Sequence, residues 1–277
     1  MQDKKMKIIN IVICYKNVSE VIQYAHQFND YKKAEMELII VVNKLSSEQI
    51  NLMNTELKKI DIVYKIYNPE KNLGYLNGLI YGYRKYVEEN GEADWIIMSN
   101  TDIQFDPCHY YEYVEKRKYG SNVWCVGPAV YSKFRKSYDN PVAIQRRSKK
   151  DLKRLITIFK THFINVFYIF LSDVKARMFP RDIGKSRNVY EVHGCFFMIR
   201  KELGNLLIQN GYPGFLYSEE AYISELVFCN NKKIFYDNQL EIIHLEHSVT
   251  GLLQKRKIAK YLSESLQNIY DIFYERE

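Results

Sequence analysis

Trp95-Ile96-Ile97-Met98-Ser99-Asn100-Thr101-Asp102-Ile103-Gln104-Phe105 is the stretch around which the rest of the chain is read. An apolar run of strand type stops abruptly at Asn-Thr-Asp and then turns apolar again. In a chain that alternates strands with helices, a carboxylate at the carboxyl end of a buried strand sits where such sheets bind ligands. Asp102 is therefore a candidate oxygen ligand for a hard cation, Mg²⁺ or Mn²⁺, with coordination positions left for phosphate.

Outward from this strand the alternation is regular. Ile8-Ile9-Asn10-Ile11-Val12-Ile13-Cys14-Tyr15 is β-branched and nearly all apolar, the composition of a strand buried on both faces. Asn17 or Ser19 then offers a helix N-cap, ahead of an amphipathic segment to about Phe28. Leu38 to Val42 reads as a second strand, Ile60 to Tyr67 as a third. A helix is expected through Gly78 and Gly82 to Val87. Trp124 to Tyr131, Val189 to Arg200 and Leu240 to His244 supply further strands, and Lys201 to Asn210 a helix. This rhythm predicts an α/β fold built on a mostly parallel central sheet flanked by helices. The rhythm fails between residues 132 and 188, which are read as an insert. Residues 1–251 are expected to form one domain that includes this insert, and 252–277 a helical tail.

The bulk properties narrow the partners. The chain of 277 residues carries a net charge of +7, which favours anionic ligands. No recognised nucleic-acid motif accompanies the charge, so no nucleic acid is expected. Five scattered cysteines without a CxxC pair point to a reducing cytoplasm and away from a disulfide scaffold or zinc site. The apolar run after Lys4-Lys5-Met6-Lys7 is short and broken by Asn10, so it reads as a first strand and not a signal peptide.

Five stretches in order resemble the family-2 glycosyltransferases of GT-A fold, most closely their rhamnosyl- and galactofuranosyl-transferase-like branch. They are Ile8 to Asn17; Val41 to Glu48; Asn72-Leu73-Gly74-Tyr75 with Gly78; Asn100-Thr101-Asp102; and Gly194 to Arg200 with Phe215 to Glu220 and His244 to Ser248. Each motif alone is weak, and their order and spacing carry the resemblance. It implies an inverting transfer of a sugar from a nucleotide donor, a UDP- or dTDP-sugar, with Mn²⁺ or Mg²⁺ as cofactor. The acceptor would be a glycan or a polyprenyl-linked glycan, in bacterial surface-polysaccharide assembly at the inner face of the membrane.

Residue by residue, the resemblance places Asp102 and His244 on the metal. Tyr15, Asn17, Asn43, Asn72, Gly74, Asn100, Thr101 and Gly194 fall on the nucleotide-sugar. Glu220, beside Glu219, takes the role of general base. The chemistry agrees: charge builds on the β-phosphate and calls for a Lewis acid, and the attacking hydroxyl must lose a proton. Two adjacent carboxylates repel each other, and burial raises their pKa toward a usable value. The chain departs from the family pattern at Asn43 and Glu220, where aspartate is usual, at Ile80, where asparagine is common, and at Tyr222, where a second aspartate is common. These departures leave open a catalytically silent nucleotide-sugar binder or scaffold as the alternative. A nucleotidyltransferase is disfavoured, because no glycine- and basic-rich phosphate loop follows the first strand.

The insert joins Arg146-Arg147-Ser148-Lys149-Lys150-Asp151-Leu152-Lys153-Arg154 to an Ile- and Phe-rich run ending at Leu171. Lys160, His162 and Asn165 interrupt that run and argue against a spanning helix. Two readings of 146–171 stand: a helix lying on a bilayer surface with its cations at anionic headgroups, or an amphipathic helix packed on the domain.

Overall fold

β4 (Trp95–Ser99) is buried at every residue, and the strands on either side of it set the architecture. The computed structural model describes residues 6–29, 36–161, 164, 167, 171, 174, 175, 177–246 and 255–275. On one side of β4 lie, in order, β1 (Ile8–Tyr15), β2 (Met36–Asn43) and β3 (Val63–Tyr67), all parallel to it. On the other side lies β9 (Phe196–Arg200), which runs antiparallel to β4. Beyond it come β6 (Val123–Ser132) and β10 (Lys233–His244), parallel to each other, and then the two-residue β5 (Ile103–Gln104). β7 (Ser137–Tyr138) pairs with β6, and β8 (Arg187–Val189) with β10, completing a ten-stranded sheet.

Side chains that alternate along a strand point to opposite faces, and here each face has its own core. Ile9 and Ile11 join one cluster with the inner faces of α3 (Leu76–Asn90), α6 (Lys201–Asn210), α7 (Glu219–Cys229) and α8 (Lys255–Phe273). Ile8 and Val12 join the other with α1 (Val18–His26), α2 (Ser47–Leu57) and α4 (Pro107–Arg117). A capping box of Ser46 and Gln49 opens α2, an arrangement contributing about 1 kcal/mol. The expected α/β fold with a central sheet flanked by helices is therefore present, and the sheet is mixed where β9, β5, β7 and β8 run antiparallel to their neighbours.

Register brings the ligand-bearing residues to one edge. Ser99 at the end of β4 is opposite Phe196 at the start of β9, so the residues just before β9 lie beside those just after β4. Asn100 N accordingly donates to Cys195 O at 2.8 Å. His244 ends β10 opposite Ile103, and Leu245 N donates to Asp102 O at 2.9 Å. The last strand is longer than the five residues expected, reaching back to Lys233 through a register shift between Asp237 and Glu241.

The start of the insert packs on the domain. α5 (Lys149–Lys160) lies along α8, with Leu152 and Ile156 buried. Lys149 and Lys153 sit over the Tyr270 ring at 5.8 and 5.2 Å, and Lys160 Nζ donates to Gln267 Oε1 at 3.0 Å. Two cations that the bilayer reading assigned to headgroups are turned inward. Arg146 pairs with buried Glu225 at 2.8 Å between the rings of Phe228 and Tyr274, and Arg147 pairs with buried Glu191. Ser248, His247, His162 and Asn165 lie outside the described residues. No helix among the described residues is long and apolar enough to cross a membrane.

Candidate active site

Asp102 is 4% exposed and His244 8%, and the two meet at 3.4 Å between Oδ2 and Nε2. Both oxygens of Asp102, both ring nitrogens of His244 and Oδ2 of Asp139 are buried without a hydrogen-bond partner. An unsatisfied buried polar group costs about 1–3 kcal/mol, so this cluster is costly as it stands. One oxygen of Asp102 and one ring nitrogen of His244 are placed to share a cation, and a carboxylate–imidazole pair suits Mn²⁺ better than Mg²⁺, which prefers oxygen ligands. The pair expected from the sequence is thus brought together in a form fit for a metal.

Sequence reasoning missed the neighbours. The ligand atoms of His193, Cys195 and His244 all lie within 4.8 Å of one another, as do those of Asp139, His244 and Glu246. Burial pushes the pKa of His193 down to about 3, keeping its imidazole neutral, and its Nδ1 accepts from Cys195 N at 3.1 Å. Burial works against the imidazolium of His244, but Cys195 and the Asp102 carboxylate outweigh it and raise its pKa. A histidine flanking the glycine of a strand-opening motif was the one signal available for His193. Asp139 and Glu246 carried none.

Glu219 and Glu220 open α7 after two residues in the left-handed region, Tyr217 at φ 68° and Ser218 at φ 62°. Such backbone costs about 1–3 kcal/mol per residue and here turns both carboxyls inward. Glu219 is buried and accepts from Tyr217 N at 2.9 Å. Burial raises the Glu219 carboxyl, and the charge of Glu220 raises it further. Glu220 is raised first by burial and then by Glu191, with Arg147 pulling the other way. A Cβ built on Gly194 would lie 3.0 Å from Glu220 Oε2, so glycine there makes room for the carboxylate. Since Gly194 is flanked by His193 and Cys195, one tripeptide touches both the metal-type cluster and the acidic pair.

The remaining expected residues divide into two groups. Asn100 and Thr101 stand at the strand end, but the Thr101 hydroxyl points to Glu20 at 3.2 Å. Tyr15 and Asn17 flank the β1–α1 turn, where Asn17 Oδ1 accepts from Ser19 at 2.7 Å. Asn43 is buried and spends its amide on the chain: Nδ2 donates to Gly74 O at 3.0 Å and Oδ1 accepts from Leu73 N at 3.5 Å. Asn72 Oδ1 accepts from Gly74 N at 3.0 Å. Gly74 has φ 78°, and a Cβ there would fall 2.0 Å from Phe215 O. The close approach that requires this glycine is to the backbone of Phe215. Tyr222, where a second carboxylate was looked for, is buried against Tyr212 and Phe273.

No protein-family model matches the chain, and no curated protein matches it. Solved structures do. A mannosyltransferase, PcManGT from Pyrobaculum calidifontis, in complex with GDP-Man and Mn²⁺, superposes with TM-score 0.56 at 9% identity over 90% of this chain and 60% of that one. GalNAc-T7 with UDP, GalNAc and Mn²⁺ superposes with TM-score 0.64 at 10% identity over 98% of this chain and 49% of that one. A mycobacterial protein gives TM-score 0.57 at 11% identity over 96% and 76%. The chain thus spans 60% and 49% of the lengths of the two named enzymes. At these identities the similarity speaks for the fold, and it is the GT-A fold that the chain shares with them.

Proposed function

We propose that the chain is a metal-dependent glycosyltransferase that moves a sugar, with inversion, from a nucleoside-diphosphate donor to an acceptor hydroxyl. The observation that carries this reading is the buried pair of Asp102 and His244, 3.4 Å apart and without a well-formed hydrogen bond, beside the glycine that cradles Glu220. Structural neighbours with GDP-Man or UDP and Mn²⁺ support the same reading.

Asp102 and His244 would hold the cation, with His193 and Asp139 close enough to adjust their orientation. When bound, Mn²⁺ or Mg²⁺ supplies a Lewis acid for the charge that develops on the β-phosphate. Glu220 accepts the proton of the acceptor hydroxyl as its oxygen bonds to the anomeric carbon and the bond to the diphosphate breaks. Burial lifts the Glu220 carboxyl toward a basicity that suits proton transfer near neutral pH, and the ion pair of Arg147 and Glu191 behind it sets how far. The donor preferred is a UDP- or dTDP-sugar, and the acceptor a glycan or lipid-linked glycan of a surface polysaccharide.

A nucleotide-sugar binder without turnover is the second reading, raised by Asn43 and Tyr222 standing where the family pattern has carboxylates. Incubation with a panel of UDP-, dTDP- and GDP-sugars and Mn²⁺ separates the two. Release of nucleoside diphosphate that is lost in Glu220→Gln supports transfer. Donor-dependent thermal stabilisation without release from any donor leaves the binder.

A further inference from the structure

The turn between β6 and β7 carries Phe134-Arg135-Lys136, and the insert returns to it through Arg177, Met178, Phe179 and Pro180. Arg181 fastens this return. Its backbone N donates to Ser137 Oγ at 2.8 Å, its Nε to Tyr138 O at 3.1 Å and its Nη1 to Pro141 O at 3.0 Å. Between the two segments opens a cavity of about 570 Å³ lined by Phe134, Arg135, Lys136, Arg177 and Pro180. Three of the five lining residues are cations. Arg135 gives Nη1 to Asp139 at 2.9 Å, and Arg177 lies over the Phe134 ring at 4.4 Å. Among the described residues no carboxylate pairs with Lys136 or Arg177.

The rim has the opposite character. Phe134 is 57% exposed, and Met178 and Phe179 are each 67% exposed. Elsewhere in the insert Ile164, Phe167 and Leu171 are exposed as well. Cations without carboxylate partners call for an anion with several acceptor oxygens, such as phosphate. Exposed apolar side chains of this size call for hydrocarbon. A soluble phosphate leaves the apolar rim uncovered, and an apolar protein partner leaves the cations unmatched. A phosphorylated lipid answers both.

We propose that this cavity binds the phosphate of a lipid-linked acceptor, with the exposed apolar face taking its hydrocarbon chain at a bilayer surface. The word acceptor rests on the transferase reading. The link to it is Asp139, which joins Arg135 of the cavity wall to His244 of the candidate metal cluster. The cations that meet phosphate are then Arg135, Lys136 and Arg177, and not the inward-facing Arg146 and Arg147.

Flotation of the full chain with phosphatidylcholine vesicles tests this. The vesicles contain a polyprenyl phosphate, the same polyprenol without phosphate, or phosphatidylglycerol at matched charge. Binding is expected to be strongest to the polyprenyl phosphate. Lys136→Glu with Arg177→Glu is expected to weaken it by about tenfold or more for each charge lost. Phe134→Ser with Phe179→Ser is expected to weaken it as well. Lys136→Asn with Arg177→Gln is the milder pair, because asparagine tolerates the left-handed backbone of Lys136 at φ 54°. Thermal stabilisation by a UDP-sugar with Mn²⁺ should survive in all of these variants, which reports that they fold. Equal binding to polyprenol or phosphatidylglycerol vesicles overturns the proposal, as does full binding by both charge variants. Phosphate-dependent binding by a protein that releases no nucleoside diphosphate from any donor retains the lipid-phosphate site and removes the transferase reading instead.

Discussion

Glu220 rests its carboxylate against Gly194, where the position of a Cβ would be 3.0 Å from Oε2. Gly194→Ala should displace the carboxylate by a few tenths of an ångström without unfolding the chain. Misplacement on the scale of an ångström costs about a hundredfold in rate. The alanine variant is therefore expected to lose roughly tenfold or more in kcat with little change in donor KM. Steady-state kinetics that match the parent chain would remove Glu220 from the reaction centre.

Glu220→Gln is expected to lower kcat by about 10²–10⁴, the range for a general base. Glu219→Gln should cost less, since its carboxyl is held by the Tyr217 amide. The pH dependence has a definite sign. Both carboxyls have folded-state pKa values above the ordinary 4.5, so the folded chain holds protons that the unfolded chain has released. Stability from this pair is full below pH 4.5 and is lost as pH rises through the raised folded values. kcat/KM climbs over the same window as Glu220 ionises. Urea titrations across pH should show a shallower fall for Glu220→Gln.

Arg147→Met should act in two ways. It leaves Glu191 as an uncompensated buried charge, a loss of about 3–5 kcal/mol when one partner of a buried pair is removed. It also removes the charge that holds the Glu220 carboxyl down, so the rising limb of the pH–rate profile should move to higher pH. A destabilised variant with an unmoved profile would separate Arg147 from Glu220.

Mn²⁺ should raise the melting temperature of the parent chain, and the rise should vanish in Asp102→Ala and fall strongly in His244→Ala. Isothermal calorimetry with Mn²⁺ alone reads the same effect without any donor. A metal-dependent shift that survives Asp102→Ala would place the cation elsewhere.

Much of the scaffold was legible because burial on two faces leaves a plain signature. β1 lies on the stretch read from its β-branched run, and α6 spans Lys201–Asn210 as its pattern indicated. That Asp102 and His244 lie side by side was legible from motif order. What failed to show in the sequence has physical causes. α4 carried an unread signal, an Asp106 N-cap followed by Pro107. The first half of β10 is broken by Asp237, Asn238 and Gln239 at a register shift, which hides its alternation. Arg146 and Arg147 read as surface charge, since their partners Glu225 and Glu191 are distant in sequence. Nothing local in the sequence shows that Asn43 ties down residues 73 and 74.

β9 has hydrogen-bonded neighbours on both sides, β4 and β6, and runs against them. It is the seam between the β3-β2-β1-β4 half of the sheet and the half that ends in β10. Asp102 lies on the link from β4 to β5 that joins the two halves, His244 ends β10, and Gly194 lies on the approach to β9 itself. Chain segments this far apart come together late, since loop closure must precede their contacts. Refolding from denaturant should therefore restore far-ultraviolet ellipticity well before it restores Mn²⁺ binding, because the seam must close before the two halves share a site.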